Sequence, residues 1–322
     1  MIKLSQMANM NVFDPNSRIY IAGHRGLVGS AIWKYFSSLG YQNLIGHSSS
    51  EVDLRDQEQT SRAIGAAGPD VLIIAAAKVG GIVANSMYPV EFLNENLRIQ
   101  TNLFESAHEN DVSRVLFLGS SCIYPKFAPQ PISETSLLTG LLEETNDAYA
   151  IAKIAGVMQV ESYRREYGRS WISAMPTNLY GPEDNFDLQT SHVLPALIRR
   201  FHEAKLSGAP VVTLWGTGTP LREFLHTDDL ARAVLHLLAH YDDGAPINIG
   251  WGLDQSIAEL AELIAEIVGY EGSISWDDSK LDGTPRKLLD TTKINSLGWM
   301  PKIGLREGIA TTYEWYLKNL EQ

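Results

Sequence analysis

The chain has 322 residues, is 44% hydrophobic and carries a formal net charge of −12. That much apolar material builds one large domain or two smaller ones around a cleft, and the negative balance argues against nucleic acid or an anionic membrane as a main partner. The single cysteine, Cys122, excludes an intrachain disulfide and a cysteine-rich metal site, and suits a reducing cytoplasm.

Residues 1–17 are polar and read as an extension with no signal-peptide core, a segment prone to disorder. No apolar run is long enough for a membrane span. Arg18 to Gly23 (RIYIAG) reads as a strand ending in glycine. A helix follows, with Leu27, Val28, Ala31, Ile32, Tyr35 and Phe36 on one side. Asn43 to Ile45 is a weak second strand. Val71 to Ala77 and Val115 to Gly119 are continuously apolar, as buried parallel strands are. Between them lies a helix over Phe92 to Glu109, and after them a helix over Tyr149 to Tyr167 and a strand over Trp171 to Met175. This alternation predicts an α/β fold, a doubly wound parallel sheet of Rossmann type. Beyond Pro176 the text is richer in loops, with one clear amphipathic helix at Ile257 to Val268. The predicted division is a dinucleotide-binding domain over residues 18–177 and about 223–250, with a smaller α/β substrate domain over 178–222 and about 251–322.

Gly23, Gly26 and Gly29 stand where the first strand meets the first helix, a place where glycine lets a pyrophosphate approach the helix N-terminus. An acid at the end of the second strand ordinarily holds the ribose 2′-hydroxyl of NAD. Here that stretch is Gly46-His47-Ser48-Ser49-Ser50, with no acid before Glu51, and Arg25 lies inside the glycine loop. Both features favour a 2′-phosphate, hence NADP(H).

Tyr149 and Lys153 lie four apart on a predicted helix and so share a face. Ser120 follows the fourth strand-like run, at the sheet edge that faces the ligand crevice. An ammonium near the phenol favours phenolate and should lower the tyrosine pKa, making it an acid/base for a carbonyl oxygen. Cys122 is two residues beyond Ser120 and belongs beside the same carbonyl. Thr227-Asp228-Asp229 reads as a helix cap with acids on the dipole, and no metal site is read.

Together these residues resemble the extended short-chain dehydrogenase/reductase family. The runs Gly23-His24-Arg25-Gly26-Leu27-Val28-Gly29, Ala76-Ala77-Lys78-Val79-Gly80-Gly81-Ile82, Ser120-Ser121-Cys122-Ile123-Tyr124-Pro125, Pro176-Thr177-Asn178-Leu179-Tyr180-Gly181-Pro182 and Asp282-Gly283-Thr284-Pro285-Arg286-Lys287 are similar, more narrowly, to its GDP-4-keto-6-deoxy-D-mannose 3,5-epimerase/4-reductases. The likeness runs from about Arg18 to the C-terminus. It implies an NADPH-dependent, two-step conversion of a GDP-linked keto-deoxysugar to GDP-L-fucose by a cytoplasmic homodimer.

By the same resemblance Ser120, Tyr149 and Lys153 are the reductase triad, and Cys122 and His192 are the epimerase acid/base pair. The segment from Gly23 to Gly29, Ser49, Leu118, Gly119, Lys153, the segment from Pro176 to Leu179, and His192 hold the cofactor. Arg200, Trp215, Arg222, Asp282 and Lys287 contact the substrate. One departure is visible: the family can carry an arginine near the position of Ser49 to help hold the 2′-phosphate, which leaves more of that task to Arg25. A 4,6-dehydratase would place Asp-Glu where this chain has Ser121-Cys122, and a simple 4-epimerase has no use for Cys122 and His192. A sister enzyme such as the colitose-forming one remains open. A non-catalytic NADP-binding scaffold usually loses the tyrosine or lysine kept here.

Overall fold

A computed structural model describes residues 14–280 and 282–320; the extension expected to be disordered lies, up to residue 13, outside the described residues. In chain order the first half holds β1 (Ile19–Ala22), α1 (Leu27–Ser38), β2 (Leu44–Ile45), α2 (Gln57–Ala67), β3 (Val71–Ile74), α3 (Ile82–Met87), α4 (Pro89–Glu109), β4 (Arg114–Leu118), α5 (Asp147–Tyr167) and β5 (Ile172–Pro176). The second half adds β6 (Asn178–Tyr180), α6 (Val193–Ser207), β7 (Val211–Trp215), β8 (Leu221–His226), α7 (Thr227–His240), β9 (Ile247–Ile249) and β10 (Asp254–Ser256). It ends with α8 (Ile257–Val268), β11 (Ser273–Asp277), β12 (Arg286–Lys287), α9 (Thr292–Ser296) and α10 (Leu305–Asn319).

The main sheet runs β2-β1-β3-β4-β5-β9 with every pairing parallel. Its central strands are buried along their whole length, which is why they read as unbroken apolar runs. One face packs Ile19, Ile21, Ile73 and Leu116 against α1 and α7; the other packs Tyr20, Leu72, Ile74 and Phe117 against α4 and α5. Strand order reverses between β1 and β3, and doubly wound folds bind ligand in the crevice beyond the carboxyl ends at that point.

β3 stops three residues short of the predicted Ala77. Ala75 still donates to the Ala22 carbonyl at 3.0 Å, but β1 then turns away at Gly23 and the pairing with it ends. α4 starts earlier than predicted because Pro89, whose fixed φ suits the first helical position, begins it. The cap of α7 falls one residue before Thr227: His226 Nδ1 accepts the Asp228 amide at 3.2 Å, with Asp228 and Asp229 in the first turn.

The loop-rich second half carries two smaller sheets, one in the order β10-β8-β12 with β6 also on β8, the other pairing β11 with β7. A third core joins α6, α8 and α10, with Phe201, Leu260, Ile264 and Ile309 at its centre. Among the described residues no helix is long and apolar enough to cross a membrane.

Candidate active site

The glycine loop is a cradle that side chains would fill. Gly23 has φ +83°, and a Cβ there would lie 2.8 Å from the Ala76 Cα, so both handedness and space require glycine. A Cβ on Gly29 would collide with the Gly23 carbonyl, which packs the first turn of α1 against the end of β1. Gly26 is the N-cap of α1 with no side-chain cap, so the amide end of the helix is left for a ligand, and Leu27 and Val28 begin the helix. These features fit a dinucleotide pyrophosphate. His24 packs its ring 5.3 Å from that of Trp33, and Arg25 is exposed. Ser49 is exposed in the turn after β2. The acid of that turn, Glu51, folds back to accept the Ser48 amide at 2.7 Å and the Ser48 hydroxyl at 2.6 Å.

The reductase candidates converge where β4 ends and α5 begins. Ser120 caps a short 3₁₀ turn, its Oγ accepting the Cys122 amide at 3.2 Å, and its hydroxyl lies near enough to Tyr149 to favour the phenolate. Tyr149 stands in the first turn of α5. Lys153, one turn on, is 4% exposed, donates from Nζ to the Leu118 carbonyl at 2.8 Å and lies 5.9 Å from the centre of the Tyr149 ring. Gly119 donates to the Ala174 carbonyl and keeps the strand end flush with β5.

The expected lowering of the phenol by the lysine is not found. Burial, with the nearby Cys122 sulfur, pushes the Tyr149 phenol above its ordinary range, and burial alone lowers Lys153 to about 7. The cause is the burial of the two groups, which disfavours a charge on either.

Cys122 is half-buried and receives two donors at 3.5 Å, Nδ2 of Asn146 and Nζ of Lys287. Asn146 was not among the residues singled out in the sequence. It is the N-cap of α5, three residues before Tyr149, and that placement was the available signal. His192 is the N-cap of α6 and stays open to solvent, yet desolvation by the surrounding protein lowers its imidazole and the Lys287 ammonium acts in the same direction. Lys287 therefore interacts with both members of the thiol–imidazole pair.

Lys287 of β12 is the register partner of Arg222 on β8, which sets two cations side by side. Burial lowers the Arg222 guanidinium, while Cys122, Asp282 and Glu143 act against that lowering. Arg200 lies over the exposed Trp215 ring at 5.6 Å. Asp282 spends both carboxylate oxygens on Thr217, accepting its amide and its hydroxyl at 2.8 Å each, and so fixes the turn after Trp215. Pro176 ends β5. Thr177 donates to the Ile249 carbonyl at 2.9 Å, Asn178 Nδ2 to the Glu223 carbonyl at 2.7 Å, and Leu179 packs on the main core. Glu223, also absent from the sequence reading, is fully buried; its carboxylate accepts the Gly252 amide at 2.6 Å and the Leu289 amide at 3.2 Å, tying β8 to the chain after β9 and after β12.

The chain is 55% identical to GDP-L-fucose synthase 1 of Arabidopsis thaliana over 98% of this chain and 97% of that one, and 52% identical to GDP-L-fucose synthase of Escherichia coli K12 over 95% and 98%. It is 38% identical to GDP-L-colitose synthase of Yersinia pseudotuberculosis over 94% and 98%. Among solved structures, a GDP-6-OMe-4-keto-L-xylo-heptose reductase from C. jejuni superposes with a TM-score of 0.91 at 36% identity, covering 95% and 99% of the two chains. A GDP-L-fucose synthetase from Naegleria fowleri bound to NADP superposes at 0.87 with 28% identity, covering 95% of each. The family model for NAD-dependent epimerases and dehydratases matches residues 19–250, and the chain belongs to that family.

Proposed function

We propose that the protein is an NADPH-dependent GDP-4-keto-6-deoxy-D-mannose 3,5-epimerase/4-reductase that forms GDP-L-fucose. The observation that carries this reading is the meeting of a thiol with a serine–tyrosine pair at one strand end: the Cys122 sulfur, held by Asn146 and Lys287, lies close enough to Tyr149 to act on its phenol, and Ser120 acts on the same phenol. A plain reductase has no task for the thiol. Identity above 50% to the plant and bacterial synthases, against 38% to the colitose-forming relative, supports fucose over the sister sugar.

A 4-keto group acidifies the protons at C3 and C5, and inversion needs one group to take a proton from one face and another to return one on the opposite face. His192, held neutral by desolvation, is fit to accept a carbon-bound proton. Cys122, positioned by Asn146 and Lys287, works on the other face. NADPH held on the glycine loop supplies the hydride for C4. Tyr149 gives the proton to the C4 oxygen, Ser120 hydrogen-bonds the same oxygen, and Lys153 fixes the phenol's surroundings. Arg200, Arg222 and Lys287 bind the diphosphate, where arginine can pair with two oxygens at once, and Trp215 stacks on the nucleotide or sugar.

The protein works in the cytoplasm as a homodimer joined through α4 and α5. Ile151 and Met158, one heptad apart on α5, are 47% and 40% exposed, and Val90 on α4 is 68% exposed; a two-fold contact would cover this apolar strip. Light scattering on the purified protein reads the dimer. The activity test is incubation with GDP-4-keto-6-deoxymannose while following NADPH absorbance, with the product assigned by NMR. Binding without NADPH oxidation would remove the enzyme reading, and a preference for another GDP-keto-deoxysugar would move the protein to the sister activity.

A further inference from the structure

Doubly wound folds read the adenosine ribose at the carboxyl end of the second strand, where an acid holds a 2′-hydroxyl and a basic group accommodates a 2′-phosphate. β2 ends at Ile45, paired with Tyr20 of β1 one strand from the glycine loop, and the first functional side chain beyond that end is His47. Its ring is fixed from beneath. Tyr20 is 1% exposed and its hydroxyl lies 3.0 Å from His47 Nδ1. Burial pushes the Tyr20 phenol up to about 12, so it keeps its proton, and a buried hydroxyl satisfies that proton by donating it. Nδ1 is then an acceptor, the ring proton sits on Nε2, and Nε2–H is a donor on the opposite edge, away from the core.

The surroundings select what that donor meets. Arg25 reaches the same corner from the glycine loop, close enough to act electrostatically on both His24 and Glu51. Glu51 is the nearest acid, but one of its oxygens is held by the Ser48 amide and hydroxyl, which turns the carboxylate into a staple for the turn. His47, Glu51, Asp56, Gln59 and Arg62 are among the residues that line a surface depression beside this turn.

We propose that His47 is the residue on the second strand that selects NADPH over NADH, its Nε2–H donating to the 2′-phosphate while Arg25 supplies the opposing charge. Two side chains from two elements then share the task that a second-strand arginine could perform alone. The inference rests on the dinucleotide reading of the glycine loop, and its test separates the two. Calorimetry with adenosine 2′,5′-bisphosphate and with 5′-AMP isolates the 2′-phosphate from the rest of the cofactor. The wild-type protein binds the bisphosphate more tightly. His47→Ala loses about tenfold on the bisphosphate, the size of one hydrogen bond to a charged group, and leaves 5′-AMP unchanged. His47→Asp removes the preference or reverses it, and Tyr20→Phe, which frees the ring, loses part of it. An unchanged ratio in His47→Ala, or an equal loss on both nucleotides, overturns the assignment. A wild-type protein that binds neither nucleotide overturns the glycine-loop reading along with it.

Discussion

Replacing Lys153 with methionine should make the ligand-free protein more stable in mild acid, even though it removes a residue of the proposed reductase triad. Lys153 is 4% exposed, its ammonium has one strong partner, the Leu118 carbonyl, and burial lowers it from 10.5 to about 7. The unfolded chain therefore binds a proton between pH 7 and 10.5 that the native state has released, and stability rises with pH across that window. Below pH 7 both states carry the proton and the whole burial cost is present, roughly 5 kcal/mol at about 1.4 kcal/mol per pKa unit. Methionine keeps the apolar volume and removes the cost, but leaves the Leu118 carbonyl without its donor, which costs about 1–3 kcal/mol. The net gain is about 2–4 kcal/mol near pH 6. At about pH 9 the native lysine is already neutral, the remaining cost is about 2 kcal/mol, and the advantage nearly vanishes. Urea denaturation of both proteins at the two pH values measures this. A variant no more stable at pH 6, or a gain that fails to shrink by roughly 2–3 kcal/mol at pH 9, would refute the account of Lys153 as a desolvated cation.

Four further outcomes are expected. Tyr149→Phe should abolish hydride transfer and slow, without abolishing, deuterium entry at C3 and C5 from heavy water, because Ser120 still bonds the enolate oxygen; equal loss of both would show the division of roles to be wrong. Cys122→Ala should suppress that exchange by about 10²-fold or more and still reduce a ketone that has already been epimerised, whereas unaltered exchange would return Cys122 to a packing role. Because desolvation and Lys287 lower His192, the imidazole stays a base to lower pH than usual, so the acidic limb of the exchange profile should fall below the ordinary histidine range near ~6.5; a limb above it contradicts the assignment. Gly29→Ala drives a Cβ into the Gly23 carbonyl, and NADPH affinity by fluorescence should drop at least about tenfold.

The parts of the fold that lie in one stretch of sequence were legible. The glycine loop, the buried strands β3 and β4, and α8, whose bounds the sequence placed at Ile257 and Val268, all announce themselves by local period and punctuation. α7 was read only at its start, through the Thr227-Asp228-Asp229 cap, and α6 only through His192 and Arg200, so neither helix was given bounds. Short strands such as β12, two residues long, carry no periodic signal at all. The site shows the same division. Ser120, Tyr149 and Lys153 could be placed because one strand end and one helix face carry them. The contact of Lys287 with Cys122 spans 165 positions and depends on β12 lying beside β8, which no local pattern reveals. The protonation of Tyr149 was misjudged for a related reason: the sequence showed the lysine four residues away but not the burial that outweighs it.

That burial bears on how one phenol can serve two reactions at a single carbonyl. During the proposed epimerisation, loss of the C3 or C5 proton places negative charge on the C4 oxygen as an enolate, which needs hydrogen bonds but must stay anionic long enough for carbon to be reprotonated. A phenol raised above its ordinary range can share its proton with that oxygen without surrendering it. Addition of hydride turns the same oxygen into an alkoxide, a far stronger base than an enolate, and only then does transfer from Tyr149 become downhill. A phenol lowered by a close ammonium would part with its proton at the first step and trap the enol. The burial that keeps Tyr149 protonated and lowers Lys153 to about 7 therefore suits inversion before reduction, and it does so without moving either side chain between the two steps.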